Sequence, residues 1–275
     1  MELTVFDEKL YTILSPDAPL QKLADGFQFT EGPVRRGDAI YFTDFNCNRI
    51  YRYDARQGVS LVTDDSHRTI GMTCTADGHI LGCASNLHAI RDVESGEILA
   101  DSFFGIRLNG TNDVIQDSRG RVWFSDPYVR EFEGRKLGRS FVFCLDGGVL
   151  SPVCWDLPWP NGLALSPDEQ TLYLIDSRQL RLYAVTLATG ARRVLVQFSK
   201  GMGPGLPDGM RVRADGTIFV AGPGGISIIA PEGKLLGRIH MPEVAANLCF
   251  DETGLFLTAS TGIYHLDLIH AESSR

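Results

Sequence analysis

The sequence shows little of the periodicity that marks α-helices. Apolar residues rarely recur three and four positions apart, and no apolar run approaches the roughly 18 residues that a membrane span needs. The first residues supply neither a basic nor an apolar segment, so we expect no signal peptide. These absences predict a soluble, cytoplasmic protein that makes no use of a membrane.

An excess of basic residues is also missing. The net charge is −8, from 26 Lys and Arg against 34 Asp and Glu, which argues against a nucleic-acid partner. None of the six cysteines forms a C-x-x-C pair, so we predict buried free thiols rather than a disulfide framework. The motifs Gly-x-Ser-x-Gly and His-Glu-x-x-His and a P-loop are absent, which leaves no familiar serine, zinc or nucleotide site.

What the chain does contain is a repeat of short alternating strands separated by turns. Six units share a polar or glycine-containing start, an apolar run, a turn and a second strand-like run. One position near the start of each unit forms a column whose members lie 39, 42, 49, 47 and 39 residues apart. In chain order, the column residues are Glu31, Ile70, Asn112, Asn161, Asp208 and Asn247.

A period near forty with three or four strands per unit is typical of a β-propeller. We therefore predict an all-β, six-bladed β-propeller with a central metal-binding channel. A β-sandwich or two stacked β domains would explain the strands, but not six registered copies. The second strands are predicted at residues 40–44, 80–84, 122–126, 171–176, 218–221 and 255–259.

The two ends of the chain are predicted to meet in one blade. The last unit supplies about three strands, and an open ring would expose sheet edges. We expect an N-terminal strand, within residues 3–6 or 21–25, to close the ring. No linker or shift in composition divides the chain, so residues 1–275 are predicted to form one domain.

The column predicts where a site would lie. The innermost strand of a propeller blade runs along the central channel, so six residues at its start face one channel mouth. Five of the six are carboxylates or amides, and two carboxylates near the axis would repel unless they shared a proton or bound a cation. Oxygen ligands suit Ca²⁺, Mg²⁺ or Mn²⁺. Each residue singly also suits a turn, but the column as a whole favours a metal site.

Four segments, in the right order, resemble those of the gluconolactonase / senescence-marker-protein (regucalcin) / luciferin-regenerating-enzyme family, and the resemblance covers essentially the whole chain. They are Thr30-Glu31-Gly32-Pro33-Val34, Leu108-Asn109-Gly110-Thr111-Asn112-Asp113-Val114, Trp159-Pro160-Asn161-Gly162-Leu163-Ala164 and Leu206-Pro207-Asp208-Gly209-Met210.

The resemblance implies one divalent metal ion in the channel, held by Glu31, Asn161 and Asp208. It implies Ca²⁺ first, with Zn²⁺, Mn²⁺ or Mg²⁺ as alternatives. It also makes Asp208 the general base and Asn112 a contact to substrate or metal. Either Arg107 or Asn109 is expected to contact substrate.

The expected activity is hydrolysis of a small-molecule sugar lactone, with the metal polarising the carbonyl group. Two alternatives stay open: a promiscuous metal-dependent esterase or phosphotriesterase-like hydrolase, and a non-enzymatic propeller that binds a ligand or metal. The second unit departs from the family pattern, with Ile70-Gly71 and later Ala84-Ser85-Asn86. These positions are expected near the channel mouth, so substrate choice stays open, whereas the three metal ligands are not affected. The native metal and the oligomeric state also stay open.

Overall fold

The structure, a computed structural model, describes residues 2–128 and 137–269. In this part of the chain, six antiparallel sheets follow one another, which confirms the predicted six-bladed β-propeller. Three short 3-10 helices accompany the strands: Glu8–Thr12, Phe45–Cys47 and Lys200–Met202. No helix among the described residues is both long and apolar enough to cross a membrane.

The blades are numbered here in chain order, with the strands of each blade given from first to last. Blade 1 comprises Thr30–Arg36, Ala39–Asp44, Arg49–Asp54 and Gly58–Thr63. Blade 2 comprises Thr69–Cys74, Ile80–Ala84, Ala89–Asp92 and Ile98–Ala100. Blade 3 comprises Val114–Gln116, Val122–Asp126, Phe141–Asp146 and Val149–Cys154. A two-stranded hairpin between blades 2 and 3 comprises Ser102–Phe103 and Ile106–Arg107.

The second half of the chain repeats the pattern. Blade 4 comprises Pro160–Leu165, Thr171–Asp176, Arg181–Thr186 and Arg192–Gln197. Blade 5 comprises Met210–Val212, Ile218–Gly222, Gly225–Ile229 and Leu235–His240. Blade 6 comprises Ala245–Phe250, Gly254–Ala259 and Gly262–Asp267. The six predicted second strands agree with the observed ones to within one residue at each end.

Both N-terminal candidates form strands, but in different blades. Gln21–Asp25 pairs with Gly262–Asp267 and so becomes the fourth strand of blade 6. Leu3–Val5 pairs with Leu235–His240 and adds a fifth strand to blade 5. Blade 6 is therefore built from residues near both ends of the described chain.

The blades surround a central axis, because the first strand of each blade contacts the first strand of the next one. These contacts run from blade 1 to blade 6 and return to blade 1. The first strands are consequently the innermost ones. All of them run in the same direction along the channel, so their starts gather at one mouth and their ends at the other.

The hydrophobic core is divided into six clusters, one between each pair of neighbouring blades. Alternation along one strand shows why: Leu172 and Leu174 pack toward blade 3, whereas Tyr173 and Ile175 pack toward blade 5. Both faces of a middle strand are thus buried, which explains why the second strands are apolar almost throughout. All six cysteines are free and four are buried, as predicted.

Candidate active site

Close packing of neighbouring blades brings the column residues together at the channel mouth. In four blades the column residue is followed by a glycine that lies directly against the next blade. A Cβ added to Gly162 would lie 2.2 Å from the Asp208 carbonyl oxygen, and one added to Gly32 would lie 2.1 Å from the Ile70 carbonyl oxygen. At Gly32 and Gly162 the glycine is therefore required by close approach of the backbones, whereas a Cβ at Gly71 would first meet Asp113 and one at Gly209 the Asn247 side chain. The four glycines are Gly32, Gly71, Gly162 and Gly209.

Hydrogen bonds complete the ring where no such glycine is present. Asn247 Nδ2 of blade 6 donates to Glu31 Oε2 of blade 1 at 3.0 Å. Between blades 3 and 4, the first strands contact each other, and the backbone of Leu163 lies close enough to Asp113 to lower the pKa of its carboxyl group. The six strand starts therefore form one continuous ring, as the repeat had suggested.

Glu31 lies inside this ring, with 4% of its surface exposed. Its Oε2 accepts hydrogen bonds from the Gly32 N–H at 2.5 Å and from the Asn247 amide. Burial, followed by the nearby charge of Asp113, raises the pKa of Glu31 to about 7. A cation in the ring would favour the ionised form of this carboxyl group.

Asp208 and Asn161 face each other across the junction of blades 4 and 5. The Asn161 amide forms a hydrogen bond with Asp208 that lowers the pKa of this carboxyl group. Burial, followed by the charges of Glu31 and Asp113, outweighs this effect and raises the pKa of Asp208 well above its ordinary value. Asn161 Nδ2 also donates to Ser177 Oγ at 3.0 Å, and Ser177 Oγ donates to the Pro207 carbonyl oxygen at 2.6 Å. Ser177 thus links the backbone before Asp208 to the side chain of Asn161.

Asp113 is a member of the cluster that the sequence reasoning did not select. It follows the column residue Asn112, at the position that glycine occupies in four other blades. Its side chain is buried, and its Oδ2 has no hydrogen-bond partner, whereas its Oδ1 accepts from the Val114 N–H. Burial raises the pKa of Asp113, although the positive charge of Arg211 opposes the shift. The sequence carried one signal for this residue, because Asp113 stands where four other units have a glycine.

The other predicted residues occupy two different environments. Asn112 is partly exposed at the ring, where its carbonyl oxygen accepts from the Gly71 N–H at 2.8 Å. Arg107 is exposed on the hairpin and donates to the Asn86 carbonyl oxygen at 3.4 Å. This hairpin belongs to the connection that crosses the same mouth, so Arg107 lies on the site's face of the propeller.

Asn109, in contrast, is fully buried. Its Nδ2 donates to the Asp126 Oδ2 at 2.9 Å and to the Arg139 carbonyl oxygen at 2.8 Å. Burial raises the pKa of Asp126 to about 7 against these hydrogen bonds. Asn109 therefore forms hydrogen bonds within the wall of the channel mouth. Of the two residues expected to contact substrate, Arg107 is the accessible one.

The donor set is one of carboxylates and amides. In the part of the chain that the structure describes, no group of three or more His, Cys, Asp or Glu side chains is arranged to hold a metal ion. Glu31, Asn161 and Asp208 include only two such residues and so do not form a group of that kind. Arg211 is the cation whose charge lowers the pKa of both Glu31 and Asp113.

Comparison with known proteins identifies relatives of this chain. The model of the SMP-30/Gluconolactonase/LRE-like region matches residues 29–261. A gluconolactonase of Zymomonas mobilis is 31% identical in an alignment that covers 95% of this chain and 85% of that protein.

Two solved structures share the fold. A gluconolactonase from Xanthomonas campestris superposes with a TM-score of 0.89 at 29% identity, covering 98% of this chain and 95% of that one. A calcium-binding protein, regucalcin from Agrobacterium tumefaciens, superposes with a TM-score of 0.76 at 17% identity, covering 91% of this chain and 95% of that one. The second likeness concerns the fold alone.

Proposed function

This chain belongs to the SMP-30/gluconolactonase/LRE-like family, and from that premise we propose that it is a lactonase that hydrolyses small sugar lactones. The observation that carries the proposal is the ring at the channel mouth, where Glu31, Asn161 and Asp208 converge in a chain whose relatives are gluconolactonases. The broader class of enzyme is an ester hydrolase. The specific substrate that we propose is an aldonolactone such as gluconolactone.

The residues of the ring fit a divalent metal ion. The charge of Asp113 raises the pKa of Glu31, and the charges of Glu31 and Asp113 raise the pKa of Asp208, which means that these carboxylates repel in a poorly solvated place. Asp113 Oδ2 is buried without a partner, and an unpaired buried acceptor is costly. A cation would relieve both penalties, and hard oxygen donors suit Ca²⁺ first, with Zn²⁺, Mn²⁺ or Mg²⁺ as alternatives.

We assign the metal to Glu31, Asn161 and Asp208, with Asp113 supporting the site from the adjacent position. When bound, the ion supplies Lewis-acid polarisation of the lactone carbonyl group. Asn161 is held by Ser177, so its amide is oriented before any ligand arrives. Asn247 similarly fixes Glu31 through the 3.0 Å hydrogen bond.

Asp208 is assigned the role of general base. It keeps partial access to the channel mouth, so a water molecule can approach its carboxylate. Removing a proton from that water produces the nucleophile that attacks the lactone carbonyl carbon, and the ester C–O bond then breaks. Asp208 subsequently returns the proton to the leaving ring oxygen, which yields a hydroxy acid.

Asn112 and Arg107 are assigned to the substrate. Asn112 lies on the ring with its side chain partly exposed, where it would orient a ring hydroxyl or the carbonyl oxygen. Arg107 extends from the hairpin at the same face and carries a positive charge toward an oxygen-rich substrate. The partner that this arrangement predicts is a small lactone.

The test is acid release from a panel of aldono-1,4- and 1,5-lactones. Wild type, Asp208→Ala and Asp208→Asn are assayed after EDTA treatment and again with Ca²⁺, Zn²⁺, Mn²⁺ or Mg²⁺ restored. We expect turnover that is lost with EDTA, restored by one of these ions and reduced at least about 100-fold in both variants.

Two results would contradict the proposal. If no lactone in the panel shows turnover that a metal ion restores, the proposed lactonase activity is excluded and a ligand-binding propeller remains. Normal turnover in Asp208→Asn would exclude Asp208 as the base while leaving the reaction itself intact. Phenyl acetate and a phosphotriester in the same panel measure the broader hydrolase activity directly.

A further inference from the structure

A cavity lies at the opposite mouth of the channel, away from the ring of column residues. It has a volume of about 520 Å³ and is lined by the far ends of the first strands, including Val34, Thr73, Ile115 and Val212. Small-molecule pockets usually occupy roughly 300–1,000 Å³ and combine apolar walls with a few polar groups. This cavity has that size and that character.

The charged residues that line the cavity are mostly basic. Arg35, Arg211 and Arg213 contribute to its wall, and Glu169 is the acidic residue among them. The Glu169 carboxylate is already engaged, because its two oxygens accept from the Ser118 N–H at 2.8 Å and from the Ser118 hydroxyl at 2.7 Å. In a protein with a net charge of −8, this is a local concentration of positive charge.

The three arginines differ in how far they are already paired. Arg35 forms an ion pair with Glu252, and Arg213 forms one with Asp215. Arg211 Nη1 donates to the carbonyl oxygen of Met210 at 2.7 Å, and no carboxylate of the described residues lies within ion-pair distance of it. Most of the donors of the Arg211 guanidinium therefore remain available to a ligand.

We infer that this cavity at the opposite mouth is a binding site for a small organic carboxylate, with Arg211 as the residue that binds the carboxylate group. A guanidinium group matches a carboxylate through two parallel hydrogen bonds, and the partly apolar wall excludes water from them. The apolar lining favours a carboxylate with a compact carbon body over inorganic phosphate. Arg213 and Arg35, although paired, add positive charge at the rim.

The experiment is isothermal titration calorimetry on EDTA-treated protein. The titrants are benzoate, gluconate and inorganic phosphate, with benzamide as the neutral counterpart of benzoate. Without metal, the ring of column residues at the other mouth holds a cluster of carboxyl groups, so anion binding there is disfavoured. We expect one benzoate or gluconate per chain, no benzamide binding, and at least about tenfold weaker binding in Arg211→Gln.

Arg56→Gln is the matched control, since Arg56 is exposed, lies outside the cavity and loses the same charge. Arg211→Lys keeps the charge but removes the planar pair of donors, and is expected to bind with intermediate affinity. Circular dichroism shows whether each variant is folded. Absence of carboxylate binding to wild type, or equal affinity in Arg211→Gln and wild type, would overturn the inference. Lactone hydrolysis is measured in a separate assay, so a failure of carboxylate binding can be distinguished from a failure of the proposed lactonase activity.

Discussion

Gly162 is the position at which a single methyl group tests the close packing of the site most directly. It stands between Asn161 and the backbone of Asp208, and its φ is not in the left-handed region, so alanine meets no backbone penalty there. A Cβ at this position would lie 2.2 Å from the Asp208 carbonyl oxygen and 3.0 Å from the Gly209 Cα. Both neighbours are backbone atoms, which have little freedom to move.

The magnitude of the effect follows from those distances. Ordinary contact begins near 3.4 Å, so blades 4 and 5 must separate by about 1 Å at Asp208. Overpacking of this kind costs about 1–3 kcal/mol of unfolding free energy. A displacement of about 1 Å at a catalytic group lowers activity by about 100-fold. Gly162→Ala should therefore be less stable and much less active than wild type.

Urea unfolding followed by circular dichroism measures the first effect, and kcat/KM for the best lactone measures the second. Gly201→Ala is the matched control, because a Cβ there meets only the Ser199 hydroxyl at 3.7 Å. We expect this control to remain within about 0.5 kcal/mol of wild type. If Gly162→Ala unfolds at the same urea concentration as Gly201→Ala, the blades do not pack as closely as described and the reasoning fails.

Three further predictions concern charge and hydrogen bonding at the mouth. In EDTA-treated protein, the pKa of Glu31 is raised to about 7 in the folded state from an ordinary 4.5, so the folded form holds a proton that the unfolded chain releases between those values. The free energy of unfolding should therefore fall as the pH rises from about 4.5 to about 7. In thermal melts, Glu31→Gln should reduce this dependence of stability on pH. The same dependence in Glu31→Gln and wild type would contradict the raised pKa of Glu31. Asn109→Ala should lower the free energy of unfolding in urea by about 1–3 kcal/mol, because Asp126 loses its buried amide donor. KM should change little. A raised KM at normal stability would show instead that Asn109 contacts the substrate. Arg107→Ala should leave the unfolding free energy within about 0.5 kcal/mol and raise KM in steady-state assays, and an unchanged KM would remove Arg107 from the substrate.

The repeat made much of the fold predictable from the sequence. Turn residues and alternating apolar runs are local signals, and their sixfold recurrence left few architectures other than a propeller. The same register located Glu31, Asn161 and Asp208 at the start of innermost strands. Their functional assignment remains a prediction, because it depends on a ligand and a reaction as well as on position.

The pairing of the N-terminal strands was less accessible. Residues 3–6 and 21–25 were both suitable candidates, and each does form a strand. The partners lie more than two hundred residues away, in blades 5 and 6 respectively. A strand pattern identifies a strand, whereas its neighbour is decided by which sheet edge remains free when the ring closes.

By itself, the sequence determined the six units, their strands and the polar column, because each of these is encoded within a few neighbouring residues. Tertiary structure alone decided that Asn109 is buried against Asp126 and that Arg211 faces a cavity at the far mouth. Those properties depend on burial, on hydrogen-bond partners and on charges contributed by separate blades. Such contacts exist only once the ring has assembled, so no local pattern in the chain records them.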